Sequence, residues 1–346
     1  MNQDREEAYQ ELRKIIGNTT LERYQGFVPN GNNIWIKREC DNPWGSHYDR
    51  VYFALYKYYE QLGKISLGNK VFETTSGTAG VSFAGIGRTL GFECHVAIPE
   101  GVDNAVLEAI KREGATIYFT PKKDYIAGFP RFLREFRPWE KGFVFLNHSM
   151  GERRGPAYTN NEVTLEALSE IGREVVGERE ISFYFPAVGN GSSIIGVARG
   201  LPNTKIITFE SFQSAVMFDL LFPGEYKQKF GIEPGSLPKH HLRGTSFQGV
   251  DFPHIHEAVR DGIVLDAKLV SDREVDRNYF NAIGRRDSER LPHWDTLIEN
   301  FTQFGRSTNA GLQVALEFAR EVKEKDLLII AYDKADRYDS WMPTEG

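Results

Sequence analysis

Residues 70–99, KVFETTSGTAGVSFAGIGRTLGFECHVAIP, decide the fold. The stretch opens on a β-branched and aromatic run, 70–74, and passes through the hydroxyl- and glycine-rich TTSGTAG. It then turns to helical spacing at Val81, Phe83 and Ile86 and closes on a second apolar run, 94–98. Strand, tight loop, helix and strand in that order make a βαβ unit, whose strands lie parallel because the helix carries the chain back across the sheet. Outward from it the rhythm recurs. Strand-like runs stand at 33–38, 116–120 and 143–146, and a later series at 181–186, 205–210, 264–270 and 327–332. Amphipathic stretches at 102–113, 161–171 and 310–325 separate several of them. The fold class is therefore α/β, with parallel sheets covered by helices and ligands expected at the carboxyl ends of the strands.

The glycine- and arginine-containing stretch 147–156 interrupts the alternation between the two strand series and marks a domain boundary. With 346 residues the chain has room for two domains, each with its own core. Its 48 acidic and 42 basic residues give a formal charge of −6, spread without long single-sign runs, so no nucleic-acid partner is expected and small molecules are the expected ligands. The opening MNQDREEAYQELRKIIG is charged and helix-like, and no apolar run approaches a bilayer span, so no membrane association and a cytoplasmic location are expected. Cys40 and Cys94 stand far apart without CxxC spacing, and the eight histidines form no metal motif, so metal ligands are not expected.

Three loops have the composition of anion sites. Thr75-Ser76-Gly77-Thr78 precedes a helix, where unpaired amides and the helix dipole favour a carboxylate or phosphate; an ordinary capped helix start reads equally well. Gly189-Asn190-Gly191-Ser192-Ser193 follows an apolar strand and offers flexible backbone and two hydroxyls, as a phosphate cup requires, although a tight turn has the same look. It lacks the third glycine of the dinucleotide fingerprint GxGxxG. Ser307 and Thr308 stand at the head of a late helix, where such residues also serve as N-caps.

Taken in order, these loops and their flanks resemble the cysteine synthase, or tryptophan synthase β-like, family of fold-type II enzymes that use pyridoxal phosphate (PLP). IGNTTLERY (16–24) is similar to the family's IGNTPL, and IKRECDNPWGSHYDR (36–50) to its K-x-E-x-x-NPSGSxKDR. TTSGTAG is similar to TSGNTG, GNGSS to GTGGT, GRSTNAGLQVAL (305–316) to GISSGAAVAAAL, and ADRYDSW (335–341) to GERYLST. The resemblance implies two parallel-sheet, three-layer domains with the active site in the cleft between them. A smaller, mobile domain over 36–155 and a second over 1–35 and 156–346, carrying the phosphate loop, are its expected division. It further implies that Thr75, Ser76, Gly77 and Thr78 bind a substrate carboxylate, and that Gly189, Asn190, Gly191, Ser192 and Ser193 surround the cofactor phosphate. Ser307 or Thr308 would meet the pyridine nitrogen, His47 would precede the lysine position, and the protein would be a homodimer. The segment 234–249, through HLRGTSFQG, is vaguely similar to the family's active-site rim.

Two departures accompany these likenesses. Gapless alignment of NPWGSHYDR on NPSGSxKDR puts Tyr48 on the Schiff-base lysine, and a phenol forms no imine. Thr78 takes the place of the asparagine that bonds the cofactor's phenolic oxygen. Lys37 sits on the preceding strand and Lys57 more than two helical turns on, so neither is expected to substitute. Three readings stay open: an enzyme acting on an amino acid or related carboxylate, with non-covalent PLP or with Tyr48, His47 and Asp49 as its catalytic edge; a non-catalytic amino-acid sensor or regulator; and a repurposed enzyme binding a phosphorylated ligand without PLP.

Overall fold

The computed structural model describes residues 3–149, 160–237, 240, 242, 244–245, 250, 252–271, 275 and 303–338. The chain divides into two compact units: one of Met1–Thr19, Glu39–Leu168 and Arg337–Asp339, the other of Thr20–Arg38, Ser169–Asp336 and Ser340–Gly346.

The second unit holds a six-stranded sheet in the order β1-β2-β10-β7-β8-β9, from β1 (Leu21–Arg23), β2 (Asn33–Lys37), β7 (Phe183–Tyr184), β8 (Lys205–Ser211), β9 (Val264–Val270) and β10 (Asp326–Ile330). β1 runs antiparallel to β2; every other pair is parallel. The first unit holds the parallel sheet β5-β4-β3-β6, from β3 (Lys70–Thr74), β4 (Glu93–Pro99), β5 (Thr116–Thr120) and β6 (Val144–Phe145). The predicted strands at 70–74, 116–120 and 264–270 coincide with observed ones. Those at 143–146 and 181–186 shrink to two-residue ladders, although Leu146, Ser182 and Phe185 still donate their N–H groups to Phe72, Asp326 and Leu328 of the neighbouring strands.

Helices cover these sheets in chain order: α1 (Gln3–Ile15), α2 (Tyr48–Gln61), α3 (Ala79–Thr89), α4 (Asn104–Arg112), α5 (Phe129–Phe136), α6 (Asn160–Glu178), α7 (Ser192–Arg199), α8 (Val216–Leu221), α9 (Glu225–Phe230), α10 (Pro253–Arg260) and α11 (Arg306–Phe318). β4 and β8 are buried along all but their first residue, as parallel strands covered on both faces must be. In the first unit Phe72 stacks among Phe132, Phe136 and Phe143. Full burial of one such ring contributes roughly 1.5–3 kcal/mol.

α2 carries tyrosines at 48, 52, 56, 58 and 59; those at 52, 56 and 59 are buried, and Tyr52 and Tyr56 pack on Phe83 of α3. The expected domain division is corrected at the N-terminus. α1 belongs with the first unit, because Glu60 of α2 accepts hydrogen bonds from Arg5 Nε (2.6 Å) and from the Tyr9 hydroxyl (2.8 Å). The later boundary falls at Leu168/Ser169, inside α6, rather than at 155/156, since a continuous helix contributes one end to each unit. The predicted break at 147–156 lies mostly outside the described residues, as does much of 234–249.

Candidate active site

In the first unit the loop leaving β3 is shaped by Thr75. Its backbone N–H donates to Ala97 O (3.0 Å), and its hydroxyl accepts from Gly77 N (3.2 Å). Ser76, Gly77 and Thr78 stay partly exposed, and a Cβ placed on Gly77 would meet nothing within 4 Å. The N–H groups of Ser76 and Thr78 have no acceptor among the described residues. Open donors, open space and the start of the eleven-residue α3 together suit an anion.

Tyr48 opens α2, and its N–H donates to Ser46 Oγ (3.2 Å). The His47 and Tyr48 rings touch, with centroids 4.1 Å apart, although neighbours on a helix ordinarily diverge; His47 is the cap residue, just before the helical turn that would separate them. Burial pushes the His47 imidazole down to about 4, so at neutral pH it is uncharged and offers the phenol no cationic help.

Asp49 is corrected as a member of a catalytic edge. It is fully buried, accepting Ser82 Oγ (2.5 Å) and Trp44 N (2.7 Å), and so ties α2 to α3 and to the preceding loop. Burial lifts its carboxyl to about 7 from an ordinary 3.8. A carboxyl whose folded value is raised adds stability below its ordinary value and loses it as pH rises through the folded one. The thermal midpoint should therefore fall between about pH 4 and 7, and Asp49→Asn should flatten that slope while keeping the fold, since an amide can accept from Trp44 and donate to Ser82. An unchanged slope in scanning calorimetry of the variant would refute the assignment.

Beneath Tyr48 lies a cluster that motif reading missed. Glu73, the penultimate residue of β3, accepts Thr74 N on Oε1 (2.8 Å) and His148 N on Oε2 (3.1 Å), and the same Oε2 lies 3.3 Å from His148 Nδ1. The Tyr52 hydroxyl is 2.9 Å from His148 Nδ1, and the Tyr48 ring meets the His148 ring edge-on at 5.3 Å. Tyr52 is held well above the ordinary phenol range by burial and then by the Glu73 charge, so it remains a neutral donor. His148 stands in the stretch that reads as a linker, where no spacing signals it; only the pairing of β6 with β3 brings it there.

In the second unit Gly191 ends the loop after β7 with φ +89° and precedes α7. A Cβ there would fall 2.8 Å from His254 Cβ and 2.9 Å from the α10 backbone, and one on Gly189 would fall 2.9 Å from Gly244 O. Asn190 Oδ1 accepts Ser192 N (2.9 Å), so that amide is already capped. The Ser192 hydroxyl is different: it is buried and has no hydrogen-bond partner among the described residues. Such a hydroxyl is open to a ligand, and a phosphate oxygen within a glycine loop suits it. The residues of this loop therefore fit the phosphate of PLP.

At α11, Thr308 Oγ1 accepts Tyr332 N (3.2 Å), whereas Ser307 Oγ lies on the side of Gly244, 3.2 Å from where a Cβ there would sit. Of the two hydroxyls left open by the sequence, Ser307 is the one beside the glycine turns. Lys37 is fully buried and paired with Glu174 (2.7 Å), and Lys57 pairs with Glu6 (2.9 Å). Cys94 is buried and its thiol pushed up to about 12, which removes it as a nucleophile. Among the described residues there is no metal-binding cluster and no helix long and apolar enough to cross a membrane.

Residues 12–332 match the model of the family described as pyridoxal-phosphate dependent enzyme, and the chain belongs to that family. A cysteine synthase of Aquifex aeolicus (strain VF5) is 25% identical over 337 residues, covering 93% of this chain and 88% of the relative. A putative mitochondrial cysteine synthase of Saccharomyces cerevisiae is 29% identical over 342 residues, covering 94% and 82%. Among solved structures, the O-acetylserine dependent cystathionine beta-synthase from Helicobacter pylori superposes with a TM-score of 0.75 at 21% identity, covering 95% of this chain and 96% of that one; at this identity the likeness speaks for the fold.

Proposed function

We propose that this chain is a cysteine synthase-like enzyme that eliminates or replaces the β-substituent of an amino acid, and that Tyr48 occupies the place of the lysine, so that PLP is held without a covalent bond. The observation that carries the reading is the buried Ser192 hydroxyl in the glycine loop, which has no partner among the described residues, within a chain of the PLP-dependent family. When bound, PLP supplies an electron sink that acidifies the α-hydrogen of an amino acid. The chain's own work is positional. Ser192 and the 189–193 backbone hold phosphate, the Ser307 hydroxyl bonds the pyridine nitrogen, and the open amides of Ser76 and Thr78 bind the substrate carboxylate. The paired states of Lys37 and Lys57 support a site that works without an amine.

Titration with PLP, followed by absorbance and thermal midpoint, tests this. The expected result is saturable stabilisation with an aldehyde-like spectrum that borohydride does not fix to the protein, since a ligand of the folded state raises its melting temperature. Ser192→Ala should weaken PLP by about tenfold, the loss of one hydrogen bond to a charged group. Tyr48→Lys should add a visible band that borohydride does fix. Stabilisation by inorganic phosphate but not by PLP would replace this reading with that of a phosphorylated ligand, and no stabilisation by either would leave an amino-acid sensor.

A further inference from the structure

His148 has the surroundings of a base rather than of a packing residue. β3 and β6 are parallel neighbours, with Leu146 N donating to Phe72 O (3.1 Å), so the loops after them leave the same edge of the first unit's sheet. One carries the Thr75–Thr78 donors and the other carries His148. The side chain is only 8% exposed, and its imidazole Nε2 has no hydrogen-bond partner among the described residues. Its Nδ1, by contrast, has two oxygens within reach, the Tyr52 hydroxyl at 2.9 Å and Glu73 Oε2 at 3.3 Å.

Two oxygens beside Nδ1 point to the tautomer that carries its proton there. The groups nearest the Glu73 carboxyl oxygens are the N–H groups of Thr74 and His148, which donate to it, and imidazole Nδ1. With Glu73 Oε2 at 3.3 Å and the Tyr52 oxygen at 2.9 Å both placed to accept it, we assign the imidazole proton to Nδ1, which leaves the lone pair on Nε2. A carboxylate behind one ring nitrogen orients the ring and stabilises the cation formed when the other accepts a proton. The Tyr48 ring, edge-on at 5.3 Å, limits the imidazole's rotation from the other side.

We propose that His148 is the acid–base residue of this site: Nε2 takes the proton from the α-carbon of an amino acid whose carboxylate is bound by the Thr75–Thr78 loop, and later returns it. Glu73 and Tyr52 are positioning residues. The C–H bond breaks, an Nε2–H bond forms, the electron pair stays with the substrate, and Glu73 balances the imidazolium until the proton goes back to carbon or to the departing β-group. The inference rests on the amino-acid reading above, and it supplies a proton carrier where Tyr48 provides no amine.

Two measurements test it. Imidazole 15N NMR of the ligand-free wild-type protein, with His148 assigned by its absence in His148→Asn, should show the Nδ1–H tautomer, and Glu73→Gln should turn it into a mixture. The Nε2–H tautomer overturns the proposal even if the variants fold poorly. With PLP bound, exchange of the L-alanine α-hydrogen in D2O should fall at least 100-fold in His148→Asn, within the usual range for general acid–base groups, while the rise in melting temperature caused by PLP persists. Exchange within threefold of wild type, or none in a wild-type protein that binds PLP, overturns the role of His148. A wild-type protein that binds no PLP sinks the cofactor reading instead, and the tautomer then decides on His148 alone.

Discussion

Gly191→Ala should destabilise the second unit by about 2–5 kcal/mol, combining the cost of a non-glycine residue in a left-handed conformation with that of overpacking. Both terms come from the structure. The residue has φ +89°, and its Cβ would meet His254 Cβ at 2.8 Å and backbone at 2.9 Å. Neither contact is the far end of a flexible side chain, so α10 or the phosphate loop must move. Urea unfolding of the variant should show a lower midpoint together with loss of stabilisation by PLP. Gly77→Ala is the matched control: its Cβ meets nothing within 4 Å, and its stability should stay within about 1 kcal/mol of wild type, as for a substitution away from special features. A Gly191→Ala protein as stable as the Gly77 variant would mean that the loop is not held as described.

The parallel sheets were legible because their strands are buried on both faces and so read as short runs rich in apolar and β-branched residues, which residues 94–98 and 205–210 illustrate. The two loops that open helices were legible as well, since hydroxyls and glycines after a strand have few structural uses. Thr75–Thr78 and Gly189–Ser193 both lie where the strands end. What stayed hidden depends on pairing between strands distant in sequence. His148 meets Glu73 across 75 positions, and neither residue type at its own place signals the other. Asp49 was misread for the opposite reason: its place beside Tyr48 in sequence suggested a shared role, but the helix turns it inward onto Ser82. Sequence proximity is weak evidence for a site, because consecutive helical residues face different neighbours.

Arg50→Met should cost about 3–5 kcal/mol, the usual consequence of stranding one member of a buried ion pair. Both side chains of the pair are fully buried, and the contact is bidentate, Arg50 Nε to Glu39 Oε2 at 2.8 Å and Nη2 to Oε1 at 2.9 Å. Glu39 also accepts Thr19 Oγ1 (2.7 Å) and Asn42 Nδ2 (2.9 Å). These keep it seated but do not neutralise it once the guanidinium is gone. Adding Glu39→Gln should recover part of the loss, because the remaining partners then face a neutral acceptor. A double-mutant cycle in urea measures the coupling, and an Arg50→Met protein within about 1 kcal/mol of wild type would show that the charge is solvated after all. The pair also bears on what the motif at 36–50 can tell. Glu39, Asn42 and Arg50, three of its recognisable residues, form one buried cluster that holds the chain around α2. Their presence is explained by folding alone. A scaffold of this kind survives whether or not an amine stands at position 48, so the chemistry of the site has to be decided by Ser192, His148 and the ligands they accept.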